Sequence, residues 1–525
     1  MVEENLLLLC QNARDAFHRN DWISLLTISN RIINDYKHES EGYYFSGIAN
    51  KGLRKYDLAI KSFIRALEIN DKRFDAAIEL ADIYLIFLRY TDSFEVLDRY
   101  IRLISNNPYY FHLSGKIYTG LGLHDKALPL FEKANQLQPN QDVIRGDLAK
   151  CLILNGRSRE AKKIFLDFLF RFPDHQRFHY EISKLEKAND YGHIDQMKKI
   201  LEANNSSPEK NIFLFYALGK ELEDLECWTE SFKYYEKAGN AVLSTINYDV
   251  NDDIDVINKI IETCSENWVN SRFTNEIMAS SNKTPIFIVG LPRTGTTLVD
   301  RIISSHSMIE SVDETFFMQL SIRYVAEFGG IGDVDQQIIE KAAQKDISLI
   351  NKKYFETIEY RLDQAPMFVD KYPLNFLYLG FIAKAFPNAK IIYLRRNPMD
   401  ACLALFKQSY FKFAYSLEDL GKYYIAQEKM RNHWRNILKD KIIELDYEKL
   451  VADQENTTRL LLEKLGVEFE SQCLNFEKNP NPSATASTVQ VRSKIHSSSV
   501  NKWKFFEKEL DSLKKFFINS GISIE

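Results

Sequence analysis

The chain has 525 residues, 45% of them hydrophobic and 27% charged, which is typical of a soluble globular protein with about two to four domains. Its net charge of −5 excludes a protein that binds nucleic acid through bulk charge, although a local basic pocket remains compatible with it. No run of apolar residues is long enough to span a membrane, and the N-terminus begins with acidic residues. We therefore predict no membrane span and no signal peptide, and expect a cytoplasmic protein.

The N-terminal half contains a repeat with a period of 34 residues. Small residues recur at this spacing in two series that are offset by 12 residues, which lets two helices cross closely within each unit. The series are Gly47, Ala81, Gly115, Ala149 and Ser183, and Ala59, Ser93, Ala127 and Ala161. Each unit is therefore predicted to be a helix–turn–helix.

The pattern resembles the tetratricopeptide repeat, with residues 41–71 and 109–140 as the clearest units. We assign residues 1–245 to a repeat domain, 246–283 to connecting helices and 284–525 to a second domain. The resemblance implies a superhelix whose concave face holds a peptide or a neighbouring domain. On its own, this half of the chain is interpreted as an interaction module.

The second domain opens with a strand, a loop and a helix. Residues 286–290, IFIVG, have the apolar, β-branched character of a buried parallel strand. Gly290 and Gly295 bound the loop, and Thr296 and Thr297 open an amphipathic helix. Such a loop can present backbone N–H groups to a phosphate at the helix N-terminus. The alternative is a tight turn that binds no ligand.

The loop departs from a nucleoside-triphosphate-binding P-loop at one position, where Thr296 replaces the lysine that contacts the phosphates. A cation stands earlier in the loop, at Arg293. The loop resembles the 5′-phosphosulfate loop of sulfotransferases that use 3′-phosphoadenylyl sulfate (PAPS). This resemblance implies donor contacts from Pro292, Arg293, Thr294, Gly295, Thr296 and Thr297. A P-loop kinase remains an alternative, against which the missing lysine argues.

A second motif of the same family follows a predicted strand at residues 391–394. Arg396, Pro398 and Asp400 match the pattern Arg-x-Pro-x-Asp, and the resemblance implies that Arg396 binds the 3′-phosphate of PAPS. The alternative is that Arg396 forms an ion pair at a helix N-terminus.

The chain departs from the family at Ala404, where a serine would donate to the 3′-phosphate. This exchange removes a charge-assisted hydrogen bond of about 1.5–3 kcal/mol. Lys407 or Ser409 could compensate for the loss.

Four further segments resemble protein-tyrosine sulfotransferases and the bacterial proteins that join tetratricopeptide repeats to a sulfotransferase domain. The segments are Asp313-Glu314-Thr315, residues 368–376 with Lys371, residues 445–451 with Tyr447, and residues 487–491 followed by Lys502 and Trp503. The likeness implies an all-α repeat superhelix followed by a P-loop-type α/β domain with a central parallel sheet.

The resemblance also implies how sulfuryl transfer proceeds without a metal, because cations and N–H donors can stabilise the charge that develops. Glu314 would be the base that takes the proton of the acceptor hydroxyl. Arg293 and Lys371 would neutralise charge on the sulfuryl and bridging oxygens, and Ser487 could donate a hydrogen bond to the same group.

Further residues would contact the rest of the donor. Lys502 would join Arg396 at the 3′-phosphate, and Tyr447 and Gln490 would lie by the nucleotide. These residues have structural alternatives: Tyr447 suits a core position, and Lys502 suits a solvated helix face.

The residues assigned to catalysis have alternatives of the same kind. Glu314 suits a helix N-terminus, and Lys371 suits an ion pair at a strand end. His306 is interpreted as structural rather than as a base.

The predicted function is a PAPS-dependent sulfotransferase whose repeats present or gate an acceptor. A polypeptide tyrosine is favoured because of Glu314 and its neighbours, with a glycan or a small alcohol as alternatives. The competing hypothesis is a protein-binding scaffold with a degenerate nucleotide-binding domain, which Ala404 keeps open.

Overall fold

The computed structural model describes residues 2–203, 207–271, 281–483, 485, 488 and 490–524. Internal contacts divide the chain into two units, Met1–Cys151 with Glu356–Tyr360, and Leu152–Phe355 with Arg361–Glu525. The second unit therefore contains the later repeat helices as well as the sheet. The predicted limit at residue 283 follows residues 272–280, which lie outside the described part of the chain.

The N-terminal region is built of successive helices, as the repeat predicts. They are α1 Val2–His18, α2 Trp22–Asp35, α3 Ser40–Gly52, α4 Tyr56–Ile69, α5 Phe74–Ile86, α6 Tyr90–Tyr100, α7 Pro108–Gly120, α8 His124–Leu137, α9 Asp142–Leu154, α10 Ser158–Arg171, α11 Gln176–Leu185, α12 Gly192–Ala203, α13 Ile212–Asp224, α14 Trp228–Leu243, α15 Val250–Thr263 and α16 Glu266–Asn270. Throughout the described residues, no helix is both long and apolar enough to traverse a bilayer.

The recurring small residues lie where two helices pack closely. A Cβ added at Gly47 of α3 would lie 2.5 Å from the ring of Phe63 on α4, and one added at Gly115 of α7 would lie 2.8 Å from the ring of Phe131 on α8. Both distances are shorter than van der Waals contact allows, so a larger residue would separate the helices. The predicted helical repeat is confirmed, and its small residues lie at these close crossings.

The C-terminal region alternates strands with helices. Its elements are β1 Thr284–Gly290, α17 Thr296–Ile303, β2 Ile309–Ser311, α18 Phe317–Val325, α19 Gln336–Ala343, α20 Ser348–Ile358, β3 Met367–Lys371, α21 Leu379–Ala385, β4 Lys390–Arg395, α22 Pro398–Phe406, α23 Leu417–Leu438, β5 Ile442–Asp446, α24 Tyr447–Ala452, α25 Gln454–Leu465 and α26 Asp511–Asn519.

The strands form a parallel sheet in the order β2-β3-β1-β4-β5. The central strand β1 is buried from Pro285 to Gly290, because helices cover both faces of a sheet of this kind. The predicted α/β domain with a central parallel sheet is thus confirmed.

The carboxyl ends of the strands meet at one edge of the sheet, which is where open α/β sheets bind ligands. Gly290 at the end of β1 is in register with Leu394 of β4, and Arg395 is in register with Asp446 at the end of β5. Lys371 ends the neighbouring strand β3. The topology therefore brings together the loop after β1, Lys371, and the segments that begin after β4 and β5.

Candidate active site

The loop between β1 and α17 has the backbone shape of an anion cradle. Arg293 and Gly295 take positive φ angles of 67° and 98°, and the Thr294 hydroxyl donates to the carbonyl of Leu291 at 2.6 Å. Gly295 caps α17 and supplies no side-chain acceptor to the first turn. The N–H groups at this helix N-terminus are therefore suited to an anionic group, which their partial positive charge also favours.

Gly295 is required here for two reasons. Its φ of 98° is one that other residues adopt only with strain. A Cβ at this position would also lie 2.5 Å from Cδ2 of Tyr447. The absence of a side chain thus lets the loop approach the ring of Tyr447, at the start of α24.

We expect Gly295→Ala to lower the free energy of unfolding by about 1–3 kcal/mol, since the substitution adds backbone strain and a steric overlap. Urea unfolding followed by fluorescence measures the change. Gly329→Ala is the matched control, because an added Cβ there meets no heavy atom within 4 Å. Equal stability of the two variants would contradict this explanation of Gly295.

Arg396 joins the loop to a segment near the C-terminus. Its guanidinium donates to the carbonyl of Arg293 at 2.8 Å and to the carbonyl of Ser499 at 2.6 Å, and lies 4.9 Å from the ring centroid of Tyr447. The Tyr447 hydroxyl is 2.7 Å from Oγ of Ser499. The structure therefore brings together three of the predicted donor-binding residues, which are far apart in the sequence.

Arg293 lies beside a second positive charge. Burial and the charge of Arg396 lower the pKa of Arg293 to about 10, against smaller opposing effects of Tyr447 and Glu314. Its guanidinium also donates to Oε1 of Gln490 at 3.0 Å. Two neighbouring cations are costly unless an anion compensates them, so this arrangement fits a phosphate or sulfate group.

Lys371 and Glu314 form an ion pair at the end of β3. The Lys371 ammonium donates to Oε2 of Glu314 at 2.5 Å; the lysine side chain is fully buried, and that of Glu314 is 29% exposed. Burial alone would lower the pKa of Lys371, but Glu314, Asp313 and Asp300 outweigh it and raise the pKa. The structure thus holds a charged lysine against a carboxylate that solvent can reach.

Glu314 does not cap a helix, contrary to the structural alternative. Helix α18 begins only at Phe317, without a side-chain cap. Asp313 takes a φ of 59°, and the Thr315 hydroxyl donates to Oδ2 of Asp370 at 3.2 Å. Because Asp370 precedes Lys371 in β3, this bond fastens the Glu314 segment to the strand that carries its lysine partner.

The sequence also singled out Lys502, His306 and Ser487. Lys502 forms an ion pair with Glu223 of α13. The His306 ring is hydrogen-bonded at both nitrogens, to the carbonyl of Glu468 at 2.8 Å and to the N–H of Met308 at 3.1 Å, which is a structural role. Ser487 lies outside the described residues.

Two residues without a predicted role, Asp400 and Ser499, join the segments of this site. Asp400 accepts hydrogen bonds from the N–H groups of Asn501 and Trp503 at 2.6 and 2.9 Å. Its place in the Arg-x-Pro-x-Asp pattern is the signal that could have revealed it. Ser499 is held through its carbonyl by Arg396, and no side-chain motif signals such a contact.

The helical N-terminal region and the α/β C-terminal region each match models of known protein families. Residues 285–471 match the model of the sulfotransferase family, and residues 40–73 and 119–185 match tetratricopeptide repeat models. The predicted combination of repeats with a sulfotransferase domain is confirmed.

Individual relatives cover different shares of the chain. An uncharacterized protein of Aquifex aeolicus (strain VF5) is 29% identical over 431 residues, which are 77% of this chain and 54% of that protein. A protein-tyrosine sulfotransferase of Drosophila melanogaster is 25% identical over 231 residues, 42% of this chain and 46% of that enzyme. The chain thus spans about half the length of both relatives. The solved sulfotransferase domain from the curacin biosynthetic pathway aligns with a TM-score of 0.35 and 17% identity, over 46% of this chain and 99% of that domain.

Proposed function

We propose that this chain, which joins tetratricopeptide repeats to a sulfotransferase-family domain, transfers the sulfuryl group of PAPS to an acceptor hydroxyl. The observation that carries the proposal is that Arg293 and Arg396 adjoin a helix N-terminus that no side chain caps, at the sheet edge where Lys371 pairs with Glu314. The two arginines and the helix N-terminus suit a donor that carries several negative charges, and the Lys371–Glu314 pair suits proton removal and charge stabilisation.

The donor fits the residues present. N–H groups of the loop and of the first turn of α17 would hold the 5′-phosphosulfate, with Arg293 beside it. Arg396, which stacks on Tyr447, would hold the 3′-phosphate. Within the site the donor supplies an activated sulfuryl group, and the protein supplies its binding, orientation and charge compensation.

Glu314 would accept the proton of the acceptor hydroxyl as the acceptor oxygen bonds to sulfur. The bond from sulfur to the bridging oxygen breaks, and 3′-phosphoadenosine 5′-phosphate (PAP) leaves with the electron pair. Lys371 would stabilise the charge on that oxygen. Its present contact with Glu314 supports this division of roles, because both groups lie within reach of one reacting centre.

A polypeptide tyrosine is the acceptor we favour. The similarity to a relative named protein-tyrosine sulfotransferase supports it, as does a partly exposed carboxylate, because a phenol with a pKa of about 10 benefits from a base. The repeats would present or gate this acceptor.

Calorimetric titration with PAP tests whether the chain binds the nucleotide of the proposed donor. We expect micromolar or tighter binding that needs no magnesium. A chain that binds no PAP would instead act as a repeat scaffold with a degenerate domain, and magnesium-dependent binding of ATP alone would support a kinase.

A further inference from the structure

Two lysines from the sulfotransferase-like domain meet one carboxylate from the repeats. Glu223, near the end of α13, accepts hydrogen bonds from Lys407 at 2.9 Å and from Lys502, and its second oxygen accepts from the Tyr235 hydroxyl at 3.2 Å. The side chain of Glu223 is 9% exposed, and that of Lys407 is 15% exposed. The cluster is therefore largely shielded from water.

The cluster carries more positive than negative charge. Within the described part of the chain, Glu223 is the carboxylate that pairs with either lysine. Burial would raise the pKa of Glu223, but the two lysines outweigh it and hold the pKa at about 2. Burial lowers the pKa of Lys407, and the charges of Lys502 and Arg396 lower it further, against the opposing effect of Glu223. One more anion would balance these groups.

Lys407 stands at the C-terminal end of the helix that carries the Ala404 departure. Arg396 precedes α22, and Lys407 directly follows it. Ala404 stands three residues before Lys407, a spacing that places two side chains on the same side of a helix. Lys407 can therefore reach the side of α22 where related enzymes place their serine.

Lys502 is brought to the same helix by the segment 499–503. Arg396 holds the carbonyl of Ser499, and Asp400 holds the N–H groups of Asn501 and Trp503. The residue between these two anchored N–H groups is Lys502. The segment thus runs from Arg396 to the Glu223 cluster.

The resemblance already implies that Arg396 and Lys502 bind the 3′-phosphate of the donor. We infer that Lys407 binds it with them and supplies the contact that Ala404 lacks. Glu223 is a positioning residue that holds the two ammonium groups side by side and charged. The inference rests on the proposed function, and it assigns part of donor selection to the repeats, because Glu223 belongs to α13.

Comparing PAP with adenosine 5′-monophosphate (AMP) isolates the 3′-phosphate, because the two nucleotides differ only by that group. We expect Lys407→Met in the full chain to weaken PAP binding about 10-fold or more and to leave AMP binding within about twofold. Lys407→Arg should restore most of the preference for PAP. Lys502→Met changes a more exposed side chain and should show the same selective loss. Lys422→Met, which removes an exposed lysine paired with Glu418, is the control.

Glu223→Gln tests the positioning role through the pH profile. Without this carboxylate, the pKa of the buried Lys407 should fall, because the remaining influences of burial, Lys502 and Arg396 all lower it. PAP affinity of the variant should then begin to decrease at a lower pH than that of the wild type. AMP affinity should show no such decrease.

The outcomes separate this inference from the proposed function. A wild-type chain that binds neither nucleotide overturns the proposed function, and the inference with it. A wild type that prefers PAP, with the same preference in Lys407→Met and Lys502→Met, overturns the inference alone. Tighter or pH-independent PAP binding by Glu223→Gln overturns the positioning role.

Discussion

Replacing Glu314 by glutamine is expected to lower turnover by about 10² or more and to leave PAP affinity within about twofold. Glutamine cannot accept the acceptor's proton at neutral pH. It nevertheless has the same size, and its carbonyl oxygen can still accept the hydrogen bond that Lys371 donates to Glu314. The variant therefore removes the base while it changes little else.

Two further carboxylates should keep Lys371 charged in this variant. Asp300 and Asp313 also raise the pKa of Lys371, so the lysine should keep its charge in the variant. Initial rates with radiolabelled PAPS, alongside calorimetric PAP affinity, measure the two effects. Glu327→Gln is the control, because Glu327 is an exposed residue that pairs with Lys345. Unchanged turnover in Glu314→Gln would mean that another group acts as the base.

Replacing Arg396 by alanine is expected to weaken PAP binding about 10- to 100-fold, the effect of losing charge-assisted hydrogen bonds to a phosphate. The loss should be larger than for any single residue of the loop between β1 and α17, because Arg396 also holds the carbonyls of Ser499 and Arg293. Calorimetry measures the affinity, and thermal unfolding verifies that the variant is folded.

The neighbouring arginine provides the control for this second test. Arg395 is 44% exposed and pairs with Asp446 at 3.5 Å, on the surface rather than against the loop. Arg395→Ala should keep its PAP affinity within about twofold, since exposed ion pairs contribute little. Equal affinities of the two alanine variants would show that residues other than Arg396 hold the 3′-phosphate.

Local sequence patterns predicted much of this fold. The 34-residue spacing of small residues identified the repeats, because each unit must let its helices cross at positions such as Gly47. The strand, loop and helix around Gly295 lie where the sequence predicted them. An apolar run signals the buried strand, and a glycine signals a position of positive φ.

Contacts between distant residues could not be predicted in this way. The strand order follows from packing of the whole domain, and no local pattern encodes it. Glu223 lies 184 residues before Lys407, on a helix whose sequence signals only a repeat. The ion pair of Glu314 with Lys371 spans 57 residues, so the sequence left base, cap and ion pair as alternatives for these two residues.

Transfer of ³⁵S from labelled PAPS to tyrosine-containing peptides tests the central claim most directly. We predict that the wild-type chain produces a labelled tyrosine sulfate without added metal, and that Glu314→Gln reduces the label by about 10² or more. A wild-type chain that binds PAP yet labels neither tyrosine peptides nor other hydroxyl acceptors would contradict the claim that it is a sulfotransferase.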